Sequence, residues 1–224
     1  MNLPEIQTDD AFRKREFPVC RDKVYLAHAG VSPVPACVTQ AIKETAEKAA
    51  LNDQEEGLSE LLRITRKRAA QLLGADTSEV ALIGPTTVGL SAVAAGLDWQ
   101  KGDEILVYRD CFPVNVYPWQ ALESRGVKVR WLQTRALGQI TPELVAENLT
   151  DQTRLVALAS CHFVSGWRID HDAIGRVLRE RGVLFCLDAI QTLGAFPTTV
   201  KYVDFLAADT HKWLLGPCAA GIFY

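Results

Sequence analysis

The chain has 224 residues, 48% hydrophobic and 23% charged, with a formal net charge of −3. That length can bury a sizeable core as one large or two small domains. The near balance of charge gives no electrostatic reason to expect nucleic acid or an anionic membrane as partner. No apolar run is long enough to span a bilayer, and the polar start MNLPEIQTDDAFRKREFP is wrong for a signal peptide. Six cysteines are scattered without a C-x-x-C pair, so no zinc or redox motif is legible. Cys161, Cys186 and Cys218 lie in or beside apolar runs and read as buried reduced thiols. A cytoplasmic protein without a metal site is the expectation.

Residues 1–24 read as a polar arm with a short helix, and 25–224 as one large domain. The arm runs into VYLAHAGVSPVP, where Gly30, Ser32, Pro33 and Pro35 mark a loop. His28 in that loop is either a turn residue or part of a substrate pocket. Residues 36–51 set Val38, Ile42 and Ala46 on one helical face. Residues 57–73 do the same with Leu58, Leu61, Leu62, Ile64, Ala69 and Leu72, and Gly74 is a natural stop. EVALIG (79–84) is the first strand. Thr86 and Thr87 follow it at the start of a small-residue helix, as an ordinary N-cap or as hydroxyl donors to a phosphate. Neither G-x-x-x-x-G-K-S/T nor G-x-G-x-x-G occurs, which counts against a nucleotide.

EILVYR (104–109) and KVRWLQ (128–133) are the next strands, with a helix near 116–125 between them. Phe112, in the joint CFPVNVYPWQ, is an aromatic at a strand's C-terminal edge that either packs the core or stacks on a ligand ring. TPELVAENL (141–149) is a helix capped by Thr141 with Pro142 at its first position. RLVALAS (154–160) is a buried strand, followed by a turn holding His162; Asp170 then caps a helix over 171–181. Strands over 182–189, 204–209 and 219–224 bring the count to seven. Helical patterns separate most of these runs. This predicts an α/β fold: a mostly parallel seven-stranded sheet with helices on both faces.

The stretch DAIQTLGAFPTTVKYVDFLAADTHK, Asp188 to Lys212, begins with an acid at the end of one apolar run. It ends with a histidine–lysine pair after another. Taken singly, the acid is a cap or turn residue and the lysine a surface residue. Two strand ends in one parallel sheet, however, bring them to the same edge, where open α/β sheets bind ligands. An acid and an amine facing one crevice suit pyridoxal phosphate: the lysine forms a Schiff base and the acid keeps the pyridine nitrogen protonated.

DFLAADTHKWLLGP and DAIQTLG closely resemble the lysine and pyridine-nitrogen motifs of the class V aminotransferase and cysteine desulfurase superfamily, and YLAHAGVSP resembles its N-terminal motif. The resemblance implies the large domain of a PLP-dependent transferase acting on an amino acid, as an aminotransferase or as a desulfurase or lyase. It implies Lys212 as the Schiff-base lysine that then moves the α-proton, Asp188 at the ring nitrogen and Gln191 at the ring hydroxyl. It also implies Thr86, Thr87, Thr210 and His211 by the phosphate, Phe112 stacked on the ring, His162 in contact with the cofactor, and His28 near the substrate. Such enzymes are homodimers. They continue past AGIFY into a small C-terminal domain that supplies an arginine for the substrate carboxylate, so a fragment of a longer enzyme is expected. Two alternatives stand beside this: a PLP-fold protein that binds cofactor or a partner without turnover, and an α/β protein using a nucleotide, such as a dehydrogenase.

Overall fold

The computed structural model describes residues 3–224. Its strands are β1 (Ala81–Ile83), β2 (Glu104–Tyr108), β3 (Lys128–Leu132), β4 (Thr153–Ala159), β5 (Leu184–Asp188), β6 (Phe205–Asp209) and β7 (Gly221–Phe223). Its α-helices are α1 (Leu3–Thr8), α2 (Asp10–Glu16), α3 (Ala36–Leu51), α4 (Leu58–Leu73), α5 (Thr86–Gly96), α6 (Tyr117–Gln120), α7 (Pro142–Asn148) and α8 (His171–Glu180). All seven strands form one sheet in the order β1-β7-β6-β5-β4-β2-β3, with β7 antiparallel to both neighbours and the other pairs parallel. The predicted α/β fold is therefore observed.

Period-two alternation sorts the strand residues onto two faces. Leu106, Phe185, Leu187, Leu206 and Ala208 pack with α7, α8 and the end of α4. Ile105, Val107, Cys186 and Ala207 pack with α5 and with Trp119 of α6. Both faces are covered, which is why the central strands read as continuous apolar runs. Thr141 caps α7 by accepting the Leu144 N–H at 3.2 Å, and Asp170 caps α8 through the Ala173 N–H at 2.9 Å. The helix expected near 116–125 is a four-residue α turn that continues as a 3-10 helix, Ala121–Arg125.

Helices α3 and α4 differ from expectation. No residue of α3 is buried, and α4 buries only Ala69, Ala70 and Leu73. Ile42, Leu58, Leu61, Leu62 and Leu72 are exposed. An apolar stripe reports that a face can be covered, but only the last turn of α4 reaches the sheet among the described residues. Cys218 is likewise exposed and Cys161 half-buried, whereas Cys186 is buried as its strand position requires.

The chain reverses direction across the sheet between β2 and β4: β3 lies to one side, and β5, β6 and β7 to the other. Such a switch point opens a crevice at the C-terminal strand ends. Helix α5 reaches this crevice because Gly89 lets it sit on β6. A Cβ at Gly89 would lie 2.8 Å from Ala207 Cβ. Gly89→Ala is expected to lower stability in urea by about 1–3 kcal/mol from overpacking, outweighing a helix-propensity gain of about 1 kcal/mol.

Candidate active site

The C-terminal ends of five strands meet at one cavity of about 400 Å³. Ile83 and Asp209 both pair with Gly221, so β1 and β6 end level with one another. The turn after β1 therefore delivers Pro85, Thr86 and Thr87 beside the segment Asp209–Lys212. Ala159 pairs with Asp188, which sets the end of β4 beside the acid. Cys111 and Phe112 arrive from the turn after β2, and Ala29, Gly30 and Val31 from the N-terminal loop.

Lys212 and Asp188 both line this cavity, with 8% and 2% of their surfaces exposed. Burial holds the Lys212 amine below its ordinary basicity, against the opposing charges of Asp188 and Asp209. Burial also raises the Asp188 carboxyl to about 6, although the Ile190 N–H, at 3.1 Å, and the Lys212 charge favour its ionised form. An acid in that state is short of a positive or donor partner. Lys212 Nζ lies 5.7 Å from the centroid of the Phe112 ring, which forms one wall. The neighbouring thiol of Cys111 is pushed up to about 12 by burial and then by the charge of Asp188, so it is no thiolate.

The opposite pole suits an anion. Helix α5 starts after Pro85, which offers no side-chain cap; the Val88 N–H is spent on the Pro85 carbonyl at 2.8 Å, and those of Thr86 and Thr87 keep their donor capacity. The Thr86 hydroxyl accepts the Asp209 N–H at 2.9 Å, which fastens α5 to β6 and leaves its own proton to donate. Thr87 is exposed on the cavity wall. His211 Nδ1 is buried and lies 2.9 Å from Asp209 Oδ2, outside hydrogen-bonding alignment. A buried carboxyl with one N–H donor, an amine of lowered basicity and an anion pole thus share one cavity. That donor set fits the pyridine nitrogen, aldehyde and phosphate of pyridoxal phosphate.

Of the residues named from sequence, the structure brings Thr86, Thr87, Phe112, Asp188, Gln191, His211 and Lys212 to the cavity. Three do not line it. His162 is buried with both ring nitrogens engaged: Nε2 donates to the Asp110 carbonyl at 2.9 Å, and Nδ1 accepts the Ser165 N–H at 3.1 Å. His28 stands behind the N-terminal loop, 2.7 Å from Ser32 Oγ and with its ring 5.3 Å from that of Trp213. The Thr210 hydroxyl donates to the Pro217 carbonyl at 2.8 Å and closes the loop after Lys212. Sequence reasoning passed over Asp209, Phe163 and Trp213. Asp209 was findable: like Asp188, it is a charge ending an apolar strand. Its carboxylate is buried and accepts N–H groups from Thr210 and Ala219.

Residues 24–224 match the family model for Aminotransferase class-V. The chain belongs to the class-V aminotransferase family. This is a PLP-dependent family, and its cysteine desulfurase branch supplies many of the similar proteins. A probable cysteine desulfurase of Methanothermobacter thermautotrophicus is 31% identical over 98% of the chain and 56% of its own length. An uncharacterized aminotransferase of Bacillus subtilis, YcbU, is 29% identical over 93% of the chain and 56% of its own length. Among solved structures, a C-DES mutant with glycine covalently linked to its PLP cofactor superposes with a TM-score of 0.88 at 26% identity. The match covers 94% of the chain and 58% of that protein. The chain thus spans a little over half the length of these relatives. The described helices include none long and apolar enough to cross a membrane. No group of three or more metal-binding side chains occurs among the described residues.

Proposed function

We propose that the chain is the cofactor-binding part of a PLP-dependent enzyme that acts on an amino acid through Lys212, as an aminotransferase or as a desulfurase or lyase. The observation that carries this is the convergence of Lys212 and Asp188 on a single cavity with an anion pole at the start of α5. When bound, the cofactor supplies an electron sink for bonds at the substrate's α-carbon. Lys212 Nζ would hold the cofactor and would take or return the α-proton; its lowered basicity keeps a neutral amine accessible. Asp188 holds a proton at the pyridine nitrogen. The Gln191 amide would donate to the ring hydroxyl, and Phe112 would wall the ring. Thr86, Thr87 and His211 bind the phosphate, while Thr210 shapes their loop from behind. His162 and His28 act in this scheme as supports, the first for the turn after β4 and the second for the N-terminal loop. The working assembly is proposed to be a cytoplasmic homodimer.

The alternative reading is a PLP-fold protein that binds cofactor without turnover. A single experiment separates the two. The full chain is incubated with pyridoxal phosphate, reduced with borohydride and digested, and its exchange of α-deuterium from labelled amino acids is followed in parallel. A reduced adduct on the Lys212 peptide together with deuterium loss is expected. An adduct without exchange favours binding alone, and labelling elsewhere or nowhere overturns the assignment.

A further inference from the structure

We propose that Trp213 is a positioning residue: its indole N–H, together with the Ala29 carbonyl, fixes which end of the Gln191 amide meets the cavity, and its ring holds the N-terminal loop against that cavity. This deepens the cofactor assignment above and rests on it for the identity of the ligand. Gln191 is buried in the cavity wall. The indole Nε1 is only a donor, so the Gln191 atom 3.1 Å away is the carbonyl oxygen. The Ala29 backbone oxygen is only an acceptor, so the Gln191 atom 3.0 Å from it is the amide nitrogen. The two demands come from opposite ends of the chain and agree, so the amide orientation is determined twice over. One Nε2 hydrogen is used on Ala29. The second has no partner among the described residues and is left for an acceptor on the ligand.

The same indole secures the loop. The His28 ring lies 5.3 Å from it at an interplanar angle of 31°, and His28 Nδ1 is 2.7 Å from Ser32 Oγ. The Ser32 N–H donates in turn to the His211 carbonyl at 2.8 Å. Ala29, Gly30 and Val31, the part of the loop that lines the cavity, are therefore held from both sides. The Trp213 backbone is itself closely seated: a Cβ at Gly194 would lie 2.6 Å from the Trp213 carbonyl oxygen. Loop, amide and lysine segment form one connected unit around the site.

The test compares the full chain with Trp213→Phe, which removes the N–H and keeps a ring, with His28→Ala, which removes the stacking partner and keeps the N–H, and with Trp213→Ala, which removes both. Two quantities are read: the pH midpoint of the visible absorbance of the chain loaded with pyridoxal phosphate, and the rate of tryptic cleavage after Arg21 and Lys23 without ligand. Trp213→Phe is expected to move the midpoint by about half a pH unit or more, as loss of one net hydrogen bond to the ring system would. His28→Ala is expected to move the midpoint less than Trp213→Phe does and to raise the cleavage rate several-fold. An unmoved midpoint in a folded Trp213→Phe chain overturns the amide half. Parent-like cleavage in both His28→Ala and Trp213→Ala overturns the loop half. Should the parent chain form no absorbance band, the cofactor assignment is what fails, and cleavage of the ligand-free chains still decides whether Trp213 holds the loop.

Discussion

At pH 7.5 and without cofactor, Asp188→Asn is expected to unfold at a higher urea concentration than the parent chain. Burial holds the Asp188 carboxyl at about 6 in the folded chain, against about 3.9 for an aspartate in an unfolded one. Between those values the folded state keeps a proton that the unfolded state has shed, so stability falls as the pH rises from about 4 to about 6. Above that window the full cost is present, on the order of 3 kcal/mol. Asparagine cannot ionise and still offers an oxygen to the Ile190 N–H. The gain should therefore be largest near neutrality and vanish toward pH 4. Pyridoxal phosphate is expected to reverse the ranking, because the variant loses the acid proposed to pair with the ring nitrogen. Equal urea midpoints at pH 7.5 would remove the claim that a buried charge is kept here at the expense of stability.

Lys212→Ala is expected to abolish the borohydride-stable adduct outright and to lower α-deuterium exchange by at least about 10²-fold, the usual contribution of a positioned general base. Lys212→Arg should fail in the same way, since a guanidinium keeps the charge but supplies no neutral amine near pH 7. The comparison separates chemistry from electrostatics. The parent Lys212 is held below its usual basicity by burial and drawn back toward it by Asp188 and Asp209. Arginine satisfies those two acids, so that variant should remain folded while losing the adduct. Mass spectrometry of the digested chains checks both variants. An adduct of undiminished yield on any other lysine in Lys212→Ala would end the assignment.

Much of the architecture was legible because it follows from local chemistry. Runs such as RLVALAS and VDFLAAD are too short and too β-branched or apolar for helices, and both formed central strands. Thr141 and Asp170 were readable as caps because an N-cap contact spans only three residues. Lys212 and Asp188 were readable as cavity neighbours because parallel strands must bring their C-terminal ends to the same edge. The apolar stripes of two helices, one with Ile42 and the next with Leu58 and Leu61, were equally visible, yet most of both stays uncovered, since periodicity carries no information about the covering segment.

The sequence by itself determined the mostly parallel seven-stranded frame, the acid and amine at its C-terminal edge, and the family to which their motifs point. Each rests on spacing within a few residues or on a repeat along one element. Only the tertiary structure decided how the polar atoms are spent. His162 looks outward from its motif as a cofactor contact, but the Asp110 carbonyl and Ser165 N–H occupy its ring. Gln191 meets Ala29 and Trp213, partners drawn from opposite ends of the chain. A hydrogen bond between distant segments depends on where the whole sheet carries them, and no local pattern encodes that.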